Sequence, residues 1–271
     1  MQPNLPNDGH ATVLWSRAGT WTLILLVVSV AMLTIFRSTD QIDIFVSNLF
    51  FTESDCVGSV EGTRCGRFLM KYHPVWQFVR ESGHNLPLLL MAASCLYLIW
   101  LLMFNPTKTR EQLTVPLVAL LSGLAGPLIA VNLVLKEYWG RPRPAQTSFF
   151  GGEQPYVAPG DISSYCDTNC SFVSGEAAAA FWMLVLIFYF RGRTRVWCAL
   201  ILVPLASFIA LLRVAFGRHY ISDVVMAALL VMFLIALSVW LVQSARGQNW
   251  VTALHRFSNS NAFGRNNAKN S

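Results

Sequence analysis

Long apolar runs separated by short polar segments dominate the pattern along this chain of 271 residues. A helix needs about 20 mostly apolar residues to cross a hydrocarbon core of about 30 Å. Six stretches meet this length or fall slightly short of it: Ala18–Phe36, Asn85–Phe104, Leu113–Leu135, Phe172–Phe190, Val196–Leu212 and Ile221–Val242. The pattern therefore predicts an all-α fold, a bundle of six transmembrane helices. No small-residue cleavage site follows the first run, so we expect a span there rather than a signal peptide.

The composition agrees with a membrane protein. Hydrophobic residues make up 54% of the chain and charged residues only 13%, whereas an ordinary soluble domain is about 25% charged. The net charge of +6 raises the question of a nucleic-acid partner. The basic residues, however, form no solvated patch with interleaved aromatic residues. We therefore expect no nucleic-acid partner and interpret the charge as that of positively charged cytoplasmic loops.

The distribution of basic residues between the loops predicts the orientation. The 20 Lys and Arg residues divide evenly between the two sides of the predicted bundle. Of the ten on one side, five lie in short polar clusters at helix ends. The other five lie in one long loop, which carries little weight in the positive-inside rule. The compact basic turn 191–195 on the other side is the clearest signal. We therefore expect both termini to be cytoplasmic.

One membrane domain, residues 1–245, and a largely disordered cytoplasmic tail, residues 246–271, account for the length of the chain. The tail is predicted from its Asn, Ser, Gly and Arg content. The outer loop 37–84 is long enough to need structure of its own. Within it, Phe68–Val79 mixes apolar and polar side chains, which is typical of an interfacial helix on the membrane or of an ordinary helix packed on the bundle.

Two pairs of cysteines fall in predicted outer loops. Cys56 and Cys65 share the loop 37–84, and Cys166 and Cys170 share the next one. Outside the cytoplasm disulfides persist, so each pair is either bridged or left as free thiols. No four-ligand Cys/His pattern completes either pair, and no metal site is predicted.

The first of three clusters that interrupt the apolar pattern follows the third predicted span. Lys136, Arg141 and Arg143 place three cations within eight residues, and two prolines restrict the backbone between and after the arginines. A planar guanidinium matches the oxygens of a phosphate group. The other interpretation is a collar of basic side chains that reach lipid headgroups.

The second cluster opens the fourth predicted span. Free backbone N–H groups at a helix N-terminus bind anions readily. Ser174 is typical of an N-cap residue, and Gly175 permits the close approach of a ligand. The other interpretation is a plain helix cap.

The third cluster contains His219 and Asp223, four residues apart and therefore on one face of a helix. A carboxylate on one imidazole nitrogen fixes the tautomer and leaves the other nitrogen free to attack. The other interpretation is a surface His–Asp pair, which would contribute only about 0.5 kcal/mol.

All three clusters lie at helix ends on the same predicted face of the membrane, and phosphoryl transfer is the chemistry that they share. Charge spreads over three phosphate oxygens during this reaction, so catalysis depends mainly on positioning and electrostatics. Arg and Lys side chains can supply both, and no cofactor is expected.

Together these segments resemble the type 2 phosphatidic acid phosphatase superfamily of membrane lipid phosphatases. The family pattern is Lys-x6-Arg-Pro, then Pro-Ser-Gly-His, then Ser-Arg-x5-His-x3-Asp. With every spacing intact, this chain reads Lys136…Arg143-Pro144, Val173-Ser174-Gly175-Glu176 and Leu212-Arg213-x5-His219-x3-Asp223.

The resemblance implies a role for each matched side chain. His219 would attack phosphorus and form a phosphohistidine, and Asp223 would orient it. The phosphate oxygens would be held by Lys136, Arg143, Ser174, Gly175 and Arg213. The family's second-motif histidine protonates the leaving oxygen, and Glu176 replaces it here. Either Glu176 serves as the acid, or the leaving group needs less help, as with an anomeric oxygen or a diphosphate, or the chain is an inactive relative.

The function implied by the resemblance is that of a bacterial inner-membrane phosphatase with a periplasmic active site, a lipid phosphate substrate and no obligate protein partner. Lipid A is the first substrate expected, because the site is rich in cations and the long outer loop suits a bulky glycolipid. Undecaprenyl diphosphate and phosphatidylglycerophosphate are alternatives. A non-catalytic relative that binds anionic lipid is the rival from another class. A transporter is disfavoured, since no pair of broken helices marks a mid-membrane site.

Overall fold

The computed structural model describes residues 17–55, 64–105 and 108–256, and most of these residues are helical. The helices are α1 Ala18–Ser38, α2 Gln41–Asn48, α3 Pro74–Phe104, α4 Arg110–Gly123, α5 Gly175–Trp182, α6 Gly192–Ala215 and α7 Ile221–Gln243. Helix α4 continues as a π-helix, Leu124–Leu135, and a last turn, Lys136–Tyr138, while α5 continues as a 3-10 helix, Met183–Tyr189. Two short strands, β1 Phe51–Glu53 and β2 Gly66–Phe68, pair antiparallel. The predicted all-α fold is confirmed.

Five helices in the described part of the chain are long and apolar enough to cross a membrane. They are α1, α3, the α4 segment Gln112–Tyr138, α6 and α7. The sixth predicted span corresponds to the shorter apolar segment Gly175–Tyr189. With about 1.5 Å of rise per α-helical residue and about 2.0 Å per 3-10 residue, this segment is about 26 Å long, close to the thickness of the hydrocarbon core. A sixth span stays a prediction.

The core lies between α7 and the helices around it. Small side chains allow α5 and α7 to pack closely, with Ala177 and Ala178 of α5 and Ala227 of α7 completely buried. In contrast, α1 buries only Ala18 and Phe36 and exposes the rest of an apolar surface. A surface of this kind is stable in lipid and not in water.

The described part of the segment 37–84 has secondary structure of its own. It contains α2, the β1–β2 hairpin, a 3-10 turn, Leu69–Tyr72, and the first three turns of α3. Helix α3 begins at Pro74 rather than at Asn85, because proline suits the first position of a helix. The predicted separate helix over Phe68–Val79 is therefore wrong: these residues divide between β2, the 3-10 turn and α3.

Two further expectations concern regions near the edges of the described chain. Residues 245–256, which include the start of the predicted tail, form a helix. Residues 257–271 lie outside the described residues. Cys56 also lies outside them, so the choice between a bridge and free thiols for Cys56 and Cys65 falls there too. Cys166 and Cys170 are joined by a disulfide.

The loops and the hairpin form a small layer at the end of the bundle where α3, α5 and α7 begin. Four aromatic side chains, Phe51, Phe68, Phe150 and Tyr220, form its core. Gly217 lies in the turn between α6 and α7 with a φ of 62°, and a Cβ atom there would come within 2.3 Å of the Phe68 ring. The hairpin therefore fixes the turn that carries His219.

Replacing Gly217 by Ala is expected to lower the free energy of unfolding by about 2–4 kcal/mol, because the backbone strain adds to a clash with a buried ring. Gly192→Ala is the matched control, since Gly192 has a φ of 56° but no neighbouring atom within 4 Å of its Cβ position. Denaturation in detergent micelles measures both free energies of unfolding, and the control should lose only about 1 kcal/mol. Equal losses would contradict the role of the hairpin.

Candidate active site

All three clusters converge on one cavity of about 190 Å³ at this end of the bundle. Five of the predicted site residues line it: Lys136, Arg143, Glu176, Arg213 and His219. Six residues that were not predicted as site residues also line it: Lys71, Gln77, Arg80, Asn169, Phe216 and Arg218. Six of these eleven side chains are cationic and one is acidic, so the cavity suits an anion.

His219 lies in the turn before α7, with only 2% of its surface exposed. Its Nδ1 atom lies 2.8 Å from the carbonyl oxygen of Ser171 and 3.8 Å from Oδ2 of Asp223. A carbonyl oxygen only accepts hydrogen bonds, so Nδ1 must carry the proton and Nε2 is the free, nucleophilic nitrogen. The backbone of Ser171, rather than the carboxylate of Asp223, is thus the direct partner of the imidazole.

Burial also keeps the imidazole neutral. The pKa of His219 is lowered to about 4, mainly by removal from water and also by the positive charge of Arg213, while Asp223 acts in the opposite direction. A neutral imidazole at physiological pH has the lone pair that a nucleophile needs.

Asp223 is fully buried and holds the surroundings of His219 together. One of its oxygens accepts hydrogen bonds from the Ser171 hydroxyl at 2.5 Å and from the backbone N–H of Tyr220 at 2.9 Å. Its other oxygen accepts from Arg141 at 2.5 Å. The carboxylate therefore positions both Tyr220, the residue after His219, and Ser171, whose carbonyl binds the imidazole.

Arg141 is completely buried between two carboxylates. Its guanidinium donates to Asp223 and, at 2.8 Å, to Asp43 of α2, and its Nε donates to the carbonyl oxygen of Val157 at 2.8 Å. Burial alone would lower the pKa of Arg141, but the two carboxylates raise it above its ordinary value. This network joins α2, the loop after α4 and the start of α7.

The loop closed by the Cys166–Cys170 disulfide binds two of the cations. Asn169 adopts a positive φ of 50°, which asparagine tolerates better than most residues. Its side-chain oxygen accepts from Lys136 at 3.3 Å, and its carbonyl accepts from Arg143 at 2.5 Å. Burial lowers the pKa of Arg143, and repulsion by Arg218 lowers it further. These cations are held close together, and a bound anion would reduce the repulsion between them.

The N-terminus of α5 packs directly against Lys136. Ser174 is the N-cap, as predicted, and its hydroxyl accepts from the backbone N–H of Ala177 at 3.3 Å. A Cβ atom on Gly175 would lie 2.8 Å from Asn132 Oδ1 and 3.0 Å from Lys136 Nζ, so a larger residue would displace these two side chains. Ser174 is fully buried and does not line the cavity, whereas Gly175 lines an adjoining apolar cavity of about 290 Å³.

Comparison with known proteins identifies the family. The model of the PAP2 superfamily matches residues 112–247, half of the chain, and this range includes all eight predicted site residues. The chain belongs to the PAP2 superfamily. The predictions of a membrane phosphatase and of a multi-pass membrane protein are confirmed. No solved structure matches this chain.

Three bacterial relatives of this PAP2 protein carry the name lipid A 4′-phosphatase. The Rhizobium leguminosarum protein is 35% identical over 80% of this chain and 94% of its own length. The Rhizobium etli protein is 36% identical over 80% of this chain and 86% of its own length. The Francisella tularensis subsp. novicida protein is 30% identical over 65% of this chain and 78% of its own length.

Glu176 occupies the position at which the PAP2 pattern has a histidine, and its carboxylate lies between two guanidiniums. One oxygen is 2.8 Å from Arg80 and 3.3 Å from Arg213. Two cations at these distances favour the ionised carboxylate, which has no proton to give.

The residues that sequence analysis missed come from outside the PAP2 motifs or act through the backbone. Arg80 and Asp43 lie far along the chain from residues 136–223, and no spacing links them to the motifs. Ser171 acts partly through its carbonyl oxygen, which every residue has. Among the described residues, no group of three or more His, Cys, Asp or Glu is arranged to hold a metal ion.

Arg141→Met is expected to lower the free energy of unfolding by about 3–5 kcal/mol, because it leaves two buried carboxylates without a cation. Arg37→Met is the matched control: Arg37 lies 2.7 Å from Asp161 in an exposed pair. Loss of an exposed pair should lower the free energy by at most about 1 kcal/mol. Equilibrium denaturation in detergent micelles measures both, and similar losses would contradict the structural role of Arg141.

Proposed function

We propose that this PAP2 protein removes a phosphate group from lipid A through a phosphohistidine intermediate on His219. The mechanism is supported mainly by the position of the His219 imidazole. The Ser171 carbonyl fixes its Nδ1 atom, its Nε2 atom is free, and the cavity around it is lined by cations. The substrate is proposed from the relatives, whose printed names specify lipid A and which align with most of the chain.

In the first step, Nε2 of His219 attacks phosphorus as the bond to the sugar oxygen breaks. That oxygen takes a proton from water, and the dephosphorylated lipid leaves as an alcohol. Lys136, Arg143 and Arg213 stabilise the charge that spreads over the phosphate oxygens. The Nε of Arg213 is buried and has no hydrogen-bond partner within the described part of the chain, so it is available to a phosphate oxygen. Water then attacks the phosphohistidine, which releases inorganic phosphate and restores the imidazole.

The charge around His219 also supports the second step. A phosphorylated imidazole is cationic, and the fully buried carboxylate of Asp223 lies 3.8 Å from its Nδ1 atom. At this distance, in an environment poorer in water than the surface, the carboxylate stabilises the positive charge substantially. Asp223 therefore assists electrostatically as well as through Ser171.

We propose that the cavity opens to the periplasm and that both termini are cytoplasmic. The support is the basic turn 191–195, which lies at the opposite end of the bundle from the cavity. Fusion of a periplasm-dependent reporter to the turn and to the loop 145–171 tests this orientation. Activity of the reporter in the loop and not in the turn is expected, and the reverse would contradict it.

The proposed reaction is tested with purified protein and a panel of lipid A, undecaprenyl diphosphate, phosphatidylglycerophosphate and phosphatidic acid. Phosphate release is expected to be fastest from lipid A, and His219→Ala should lower it by roughly a thousandfold or more, because no other group can form the phosphohistidine. Binding of the lipids without phosphate release would favour a non-catalytic relative. Release that persists in His219→Ala would contradict the mechanism.

The pH dependence of kcat/KM gives a second test, since this ratio reports the ionisation of the free enzyme. Protonation of His219 should reduce the rate only as the pH falls towards about 4, and not near 6.5 as for an ordinary imidazole. The ionisation of the substrate phosphate, near pH 6, is titrated separately and divided out. A remaining acid limb near 6.5 would contradict the buried, neutral imidazole.

A further inference from the structure

Arg80 contributes to the phosphate cavity from a part of the chain that the PAP2 motifs do not include. It lies in the second turn of α3, about 56 residues before Lys136, and its side chain reaches the cavity wall. There its Nη2 atom is 2.8 Å from Oε1 of Glu176, and its Nε atom is 3.2 Å and 3.3 Å from the two oxygens. Arg80 thus binds the Glu176 carboxylate through two nitrogens.

The same carboxylate also contacts Arg213, a residue that the proposed mechanism assigns to the phosphate. Nη2 of Arg213 is 3.3 Å from Oε1 of Glu176, a longer contact than the one with Arg80. The Arg213 side chain is only 7% exposed, and that of Glu176 is 13% exposed. Water therefore screens this contact poorly, and the charge on Glu176 matters to whatever binds Arg213.

Without Arg80, the negative charge of Glu176 would have two effects on a bound phosphate. It would repel the phosphate dianion across the small cavity, since both are acceptors without protons to share. It would also pair more fully with Arg213 and compete with the phosphate for that guanidinium. Both effects weaken binding of phosphate, and neither removes the nucleophile.

We infer that Arg80 is a positioning residue that neutralises Glu176 and thereby keeps Arg213 available to the substrate phosphate. This inference rests on the proposed function, and it assigns Glu176 to the support of the cations rather than to proton donation. A histidine at position 176 would carry no negative charge, so a guanidinium at position 80 is needed because this chain has a glutamate there.

The test is a double-mutant cycle between positions 80 and 176. Arg80→Ala is expected to raise KM about tenfold or more while kcat changes by less than about twofold. In the Glu176→Gln background, which has no charge to neutralise, Arg80→Ala should change KM by less than about twofold. Arg80→Lys should retain most of the affinity, because an ammonium group still neutralises the carboxylate.

The control for a lost arginine is Arg67→Ala, an exposed side chain on β2 that does not line the cavity, and it should leave KM and kcat unchanged. Two outcomes would overturn the inference. One is an equal rise in KM when Arg80 is removed in either background. The other is a large loss of kcat in Glu176→Gln with KM unchanged, which would assign the proton donor to Glu176.

A binding measurement separates failure of this inference from failure of the proposed function. Inorganic phosphate is titrated calorimetrically into the four proteins of the cycle: the unchanged pair, Arg80→Ala, Glu176→Gln and the double variant. Each also carries His219→Ala, so that no turnover is needed. Weaker binding on loss of Arg80 only when Glu176 is present supports the inference even if lipid A is not the substrate. Equal effects in both backgrounds overturn it even if lipid A is hydrolysed.

Discussion

Two carboxylates and one guanidinium are buried together beneath His219, and the candidate active site is built on their pairing. Removal of three charges from water is unfavourable unless every donor and acceptor is satisfied. Here all three nitrogens of Arg141 donate hydrogen bonds, and its guanidinium also lies 4.3 Å from the centre of the Tyr220 ring. Asp43 in turn accepts from both the backbone and the hydroxyl of Ser222.

This pairing explains how segments that are distant along the chain hold one imidazole in place. Arg141 follows α4, Asp43 lies in α2 and Asp223 begins α7, so the network fixes three elements at one end of the bundle. Asp223 then binds Ser171, and the carbonyl of Ser171 binds His219. The buried ion pairs therefore set the orientation of the His219 imidazole indirectly, through Asp223 and Ser171.

Above this network, the cavity concentrates positive charge that the fold alone does not neutralise. Asn169 holds Lys136 and Arg143 with neutral oxygens, and Glu176 offers the one carboxylate among the residues that line the cavity. Repulsion between cations is a strain that the folded protein tolerates at a functional site. Binding of a phosphate dianion relieves it, so part of the binding free energy comes from the preorganised cations.

The sequence indicated most of the helices and five of the residues that line the cavity, for physical reasons that also explain what it missed. The length of an apolar run predicts a span well, because the thickness of the lipid core imposes that length. It does not show where α3 begins, because the first three turns of this helix are too polar to belong to an apolar run. Spacing within one short segment revealed His219 and Asp223. Contacts such as Arg80 with Glu176 depend on the packing of separate helices, which local patterns do not encode.

Attack by Nε2 of His219 on phosphorus is the step on which the proposed reaction depends, and trapping of the phosphoenzyme measures it directly. Purified protein is mixed with lipid A labelled with ³²P, quenched within milliseconds in base, and digested for peptide mapping. We expect a label on His219 that is stable in base and lost in acid, as is usual for a phosphorus–nitrogen bond, and no label on His219→Ala. A label on an oxygen-containing side chain, or rapid turnover without any labelled protein, would contradict it.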